Sequence, residues 1–177
     1  ETDLTDRRSL DSLVDWVTGL DVPLAILVNN AGLGNPGTLA ATTPRQSERL
    51  VDLNVGAVVR LTHGLLPLLR KQQRAYLLNV ASLAAFKPVP YMPVYSASKA
   101  FVLNFTLSLR NELRGTPVSA SVLCPGGVMT NQTVRTRIAE QGFFGRISRT
   151  FPEQVAREAV RGLLKGRRVI VDRKSVV

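Results

Sequence analysis

The 177 residues are 45% hydrophobic and 20% charged, with 13 Gly and 10 Pro, a composition that excludes disordered, collagen-like and disulfide-framework chains. Lys and Arg outnumber Asp and Glu by 23 to 13, a formal charge of +10. The basic residues come in small groups (Arg7-Arg8, Arg70-Lys71, Arg135 to Arg149, Lys165 to Arg168, Arg173-Lys174) with no interleaved aromatics, which argues against a dedicated nucleic-acid surface. The single cysteine, Cys124, forbids an intramolecular disulfide and fits a reducing compartment such as the cytoplasm. No apolar run approaches the roughly 18 to 20 residues of a membrane helix, so no membrane span is expected. The length suits one domain over 1–177.

The first element is an amphipathic helix over 6–18, with Leu10, Leu13, Val14 and Val17 at helical spacing, Thr5 as the N-cap and Gly19 as the stop. After Pro23, the run 24–28 (LAILV) has the pattern of a strand covered on both faces, ended by Asn29-Asn30-Ala31-Gly32. Thr43-Pro44 opens a long helix, and Leu50, Val51, Val55, Val58, Leu61, Thr62, Leu65 and Leu69 carry its stripe to about residue 70. A second buried strand is expected at 75–81, a helix at 94–114 closed by Gly115, and a third strand at 118–124 ending in Pro125-Gly126-Gly127. Pro152 starts a helix over 152–165, and Val169-Ile170-Val171 is the last strand. Helices alternating with apolar strands predict an α/β fold, a parallel sheet with helices on both faces.

In such sheets ligands bind beyond the carboxyl ends of the strands. Those positions read Asn29-Asn30-Ala31-Gly32, then Ser82, then Pro125-Gly126-Gly127, with Tyr95-Ser96-Ala97-Ser98-Lys99 at the start of a helix. Tyr95 and Lys99 are four apart and share one helix face. An ammonium beside a phenol favours the phenolate, which suits proton exchange with an alcohol or a carbonyl. Asn54 is a polar amide on an otherwise apolar stripe and needs hydrogen-bond partners. His63, the only histidine, reads as a surface or packing residue, and Cys124 as a small buried apolar one.

Taken together these segments resemble the short-chain dehydrogenase/reductase family over essentially the whole chain. Asn29 to Gly32 match its NNAG signature, Ser82 its serine, Tyr95 to Lys99 its YxxxK, Asn54 its helix asparagine, and Pro125-Gly126-Gly127-Val128-Met129-Thr130 its PGxVxT. The resemblance implies a Rossmann-like, doubly wound sheet and hydride transfer between NAD or NADP and a carbonyl or secondary alcohol. It implies Tyr95 as general acid or base, Lys99 as its electrostatic partner and ribose ligand, Ser82 as the substrate-oxygen donor, and Asn54 as holder of a relay water. Asn30, Ala31, Gly32, Pro125, Gly126, Val128 and Thr130 would line the cofactor, and Asp3-Leu4 would match the family's acidic pair at the adenine. For Asp3 a helix-capping role fits the residues equally well.

The family's TGxxxGxG turn is absent from these residues, and a βαβαβ portion of roughly sixty residues would be expected ahead of Asp3 at about 30 residues per βαβ step. The strand at 24–28 would then present an open apolar edge. The competing reading is a truncated, non-catalytic module that binds or dimerises. Phe86, Tyr91, Met92, Phe143 and Phe144 give the substrate side an apolar character. No metal site is expected. The long helices at 44–70 and 94–114 correspond to those through which family members form homodimers or homotetramers.

Overall fold

In the computed structural model, which describes residues 1–34, 37–126 and 151–171, the four aliphatic runs become strands β1 (Ile26–Asn29), β2 (Ala75–Val80), β3 (Val118–Cys124) and β4 (Val169–Val171). All neighbours are parallel, in the order β1-β2-β3-β4. Parallel neighbours need long crossovers, and the helices supply them. Helix α1 (Arg7–Thr18) leads into β1, α2 (Pro44–Val51) and α3 (Val58–Arg70) join β1 to β2, α4 (Pro93–Glu112) joins β2 to β3, and α5 (Pro152–Leu164) leads into β4.

The two-residue period of the strands divides the core between the faces. Ala75 and Leu77 of β2 pack with Ala120 of β3 under Leu69 of α3 and Leu113 beyond α4, and nearer the carboxyl ends Val122 and Cys124 meet Val102 and Leu103 of α4. Tyr76 and Leu78, pointing the other way, pack with Leu123 and Ile170 against Val155, Ala159 and Leu163 of α5. Helices thus cover both faces, as expected. The exception is β1. Ile26 and Val28 lie in register with Tyr76 and Leu78, on the face that α5 covers, and remain 47% and 49% exposed. Helix α5 packs on β2, β3 and β4, so among the described residues β1 is covered on one face.

Two local expectations are also corrected. The N-cap of α1 is Asp6, whose Oδ2 accepts from the Ser9 amide at 2.8 Å and the Ser9 hydroxyl at 2.8 Å. Thr5 is already engaged, donating its amide (2.9 Å) and its hydroxyl (2.8 Å) to Asp3 Oδ1. The long helix expected over 44–70 is capped by Thr43, in a reciprocal box with Gln46, but Asp52–Ala57 winds as a wider π-type turn between α2 and α3. The wider turn rotates the buried face, so Leu50, Asn54, Ala57 and Val58 point inward while Val51 is 42% exposed.

Candidate active site

The site forms where β1, β2 and β3 end. Asn29, expected in the turn, is instead the last residue of β1 and is buried. Its Nδ2 donates to Asn79 Oδ1 (2.8 Å) and to Thr62 Oγ1 (3.0 Å), and Asn79 Nδ2 donates to Thr106 Oγ1 (2.9 Å). This ladder ties α3, β1, β2 and α4 together directly beneath the site. Asn79 sits inside a run of otherwise apolar buried strand residues, a pattern that points to a side-chain partner.

Beyond Asn29 the chain turns outward, leaving Asn30, Ala31 and Gly32 exposed. Asn54 holds it there: its Oδ1 accepts from the Leu33 amide at 2.8 Å, while its Nδ2 donates to Leu33 O (2.9 Å) and Ser98 Oγ (3.0 Å). The Asn54 side chain thus holds both backbone groups of Leu33 and ties them to α4, and the π-type turn aims it. Gly32 passes so near that a Cβ there would lie 3.2 Å from Asn54 Oδ1 and 3.3 Å from Lys99 Nζ. Absence of that carbon keeps the backbone close to the lysine.

Lys99 is 5% exposed. Its Nζ donates to Val80 O at the end of β2 (2.9 Å) and lies 5.9 Å from the centroid of the Tyr95 ring. Burial pushes its pKa down to about 8, with a smaller opposing contribution from Cys124. An ammonium has three donors, so two remain for a ligand. Ser82 caps the short turn Leu83–Ala85 by accepting from the Ala84 amide at 3.2 Å, which leaves its hydroxyl proton to donate. That turn packs on α4 and is stitched to the end of β3 by Leu83 N donating to Pro125 O at 3.0 Å. Pro125 and Gly126 are thereby fixed beside Ser82. Cys124 is fully buried, with its thiol raised to about 11 by burial, against the opposing influence of the Ser82 amide and Lys99.

Ser82, Tyr95, Lys99, Asn54, Asn30 to Gly32 and Pro125-Gly126 therefore gather at one end of the sheet. Asp3 is exposed and bound to Thr5, its carboxyl held below the usual carboxylate range by that amide and hydroxyl, and Leu4 packs against Leu10, Ala57 and Leu61. His63 is exposed on α3, away from this group. Phe86 and Tyr91 are 54% and 69% exposed on the loop before α4, and Met92 is half-buried near Gly34. Gly127, Val128, Thr130, Phe143 and Phe144 lie outside the described residues. Sequence reasoning missed Asn79, Thr62, Thr106 and Ser98 as supports of the site.

The arrangement is that of an α/β, Rossmann-like fold, and the family model for short chain dehydrogenase matches residues 1–141. The chain is a member of that family. It is 36% identical over 176 residues to ketoacyl reductase HetN of Nostoc sp., covering 98% of this chain and 60% of that protein. It is 39% identical over 137 residues to sulfoacetaldehyde reductase of Chromohalobacter salexigens, covering 76% of this chain and 54% of that protein. A short-chain dehydrogenase from Sphingobium yanoikuyae in complex with NADPH superposes with a TM-score of 0.84 at 26% identity, covering 96% of this chain and 65% of that one. The chain thus spans 54% to 60% of the length of the two curated relatives. Among the described residues no helix is long and apolar enough to cross a membrane.

Proposed function

We propose that the protein is an NAD(P)-dependent oxidoreductase acting on a carbonyl or secondary alcohol, with Tyr95 as its general acid or base. The observation that carries this reading is the buried Lys99 ammonium, fixed by Val80 O beside the Tyr95 ring and beneath Gly32. Burying a lysine is costly, and its placement next to a phenol in a strand-end crevice is the arrangement proton transfer needs.

The residues present fit the nicotinamide ribose half of the cofactor. The bare ledge at Ala31 and Gly32 admits close approach, and the two free donors of Lys99 suit ribose hydroxyls. Pro125 and Gly126 border the same crevice. Bound there, the cofactor supplies or accepts the hydride. In reduction, Ser82 donates its hydroxyl proton as a hydrogen bond to the substrate oxygen and holds the carbonyl carbon in place. Tyr95 gives its phenolic proton to that oxygen as negative charge builds on it, and Lys99 places positive charge beside the ring as the proton leaves. In oxidation the same groups work in reverse. Asn54 keeps the Leu33 peptide, and with it the Gly32 ledge, in register with Lys99.

The loop carrying Phe86, Tyr91 and Met92 gives the substrate an apolar neighbour, which favours a hydrophobic ketone or aldehyde. In the complete protein, Tyr95→Phe removes one oxygen and keeps the ring packing. Turnover is expected to fall by at least about a hundredfold, the range of general acid catalysis, with cofactor binding retained. Turnover within a few fold of wild type removes Tyr95 from the reaction.

A further inference from the structure

Helix α4 buries two serines near its start, Ser96 and Ser98, at 7% and 4% exposure, and the reaction proposed above uses neither. A serine inside a helix commonly bonds back to a carbonyl of the preceding turn. Among the described residues Ser96 makes only such bonds, donating to Met92 O at 2.9 Å or Pro93 O at 3.2 Å. Ser98 donates to Tyr95 O at 2.7 Å and also accepts from Asn54 Nδ2 at 3.0 Å, a partner on a different element.

The directions of these bonds are fixed. Asn54 Oδ1 accepts from the Leu33 amide while Nδ2 donates to Leu33 O, so a flipped amide would set donor against donor and acceptor against acceptor. The second Nδ2 proton goes to Ser98, whose single hydroxyl proton is left for Tyr95 O. Leu33, Asn54, Ser98 and Tyr95 thus form one directed chain from the loop after β1 to the peptide of the tyrosine. In helix geometry the Tyr95 carbonyl also receives the Lys99 amide, so Ser98 acts on a carbonyl shared by both members of the pair. Lys99 Nζ is itself held by Val80 O at the end of β2. The start of α4 is therefore tied to β2 through Lys99 and to the Leu33 peptide, next to Gly32, through Ser98.

We propose that Ser98 is a positioning residue: through Asn54 it sets the Tyr95 end of α4 against the Leu33 peptide and the Gly32 ledge. This role rests on the reading of Tyr95 as general acid or base, and adds to it the group that fixes the spacing between the phenol and the cofactor ledge. That spacing decides how the phenol meets a substrate oxygen. Proton transfer needs heavy atoms within about 2.6–3.2 Å, and a displacement of about 1 Å can cost a hundredfold in rate. A hydroxyl that touches neither substrate nor cofactor thereby governs turnover.

The test compares Ser98→Ala with Ser96→Ala in the complete protein. Each removes one buried hydroxyl from α4, keeps the Cβ and loses a bond to the preceding turn, but only Ser98→Ala cuts the chain to Asn54. Ser98→Ala is expected to lower kcat and kcat/KM alike by about tenfold or more. Cofactor binding is expected to stay near wild type, because both bonds from Asn54 to Leu33 persist. Ser96→Ala is expected to keep kcat near wild type. In an Asn54→Leu background Ser98→Ala is expected to cost far less than it does alone, since the two act through one chain. In protein carrying fluorotyrosine, the fluorine resonance that Tyr95→Phe removes is expected to move in Ser98→Ala and to hold its place in Ser96→Ala. A kcat near wild type in Ser98→Ala, equal losses in the two serine variants, or additive losses in the Asn54→Leu background would overturn the proposal. Turnover near wild type in Tyr95→Phe would overturn the reading on which it rests. The fluorine resonance tells the two failures apart: it still moves in Ser98→Ala when only the role of Tyr95 is at fault, and it stays when the link through Ser98 is.

Discussion

Lys99→Met separates the electrostatic role of this lysine from its packing. In the folded protein burial brings Lys99 to about pH 8, against 10.5 for the free side chain. That difference corresponds to about 3 kcal/mol at 1.36 kcal/mol per pH unit. Below pH 8 the group is charged in both folded and unfolded states, and its cost to stability is constant. Between pH 8 and 10.5 the unfolded chain holds the proton and the folded protein does not. Unfolding then takes up a proton, and stability rises with pH by up to about 1.4 kcal/mol per unit. Methionine is of similar length and cannot titrate. At pH 7 the variant loses the buried charge but also the bond to Val80 O, whose orphaning costs about 1–3 kcal/mol, so the slope carries the test. Urea unfolding of both proteins at pH 7, 8, 9 and 10 should show wild type gaining about 2–3 kcal/mol on the variant across the series. Other groups titrate alike in both proteins and cancel. Two curves that stay parallel would refute a buried, proton-releasing Lys99.

Further perturbations probe the supports of the site. A Cβ at Gly162 would lie 2.7 Å from two side-chain carbons of Ile170, so Gly162→Ala should cost about 1–3 kcal/mol in thermal unfolding. Gly56→Ala, where nothing lies within 4 Å, should instead be neutral or stabilise by up to about 1 kcal/mol. Asn79→Leu removes one of the two bonds of Asn29 Nδ2 and the bond that Thr106 Oγ1 accepts and should cost about 1–3 kcal/mol by urea denaturation; a cost below about 0.5 kcal/mol would mean the ladder contributes little. Asn54→Leu frees both ends of the Leu33 peptide, and exchange of the Leu33 amide hydrogen should quicken by about ten- to a hundredfold, the equivalent of one to two lost hydrogen bonds.

The parallel sheet was legible because each strand is a short apolar run, β1 and β3 closed by Asn30 and Pro125, and each helix a longer amphipathic one. The convergence of Tyr95, Lys99 and Ser82 was legible because strand ends in a parallel sheet share one edge, so residues distant in sequence come together once the order is known. Other features depend on partners that spacing does not reveal. Asn29 looks like part of a turn until Asn79 and Thr62 draw it into the strand. The π-type turn at Asp52–Ala57 leaves no mark in the apolar stripe, which reads equally well as unbroken helix. Thr5 and Asp6 are both good caps in isolation, and only the competing bond from Thr5 to Asp3 decides between them.

In the proposed reaction a hydride reaches a carbonyl carbon while Tyr95 protonates its oxygen. The most direct measurement incubates the complete protein with NADPH or NADH deuterated at nicotinamide C4 and a panel of apolar ketones and aldehydes, and weighs the products. Successive use of cofactor labelled on each face of the ring should yield an alcohol one mass unit heavier with one label and not the other, and none with Tyr95→Phe. Cofactor binding with no labelled alcohol from any member of the panel would contradict the catalytic account and leave the chain as a binding or dimerisation module.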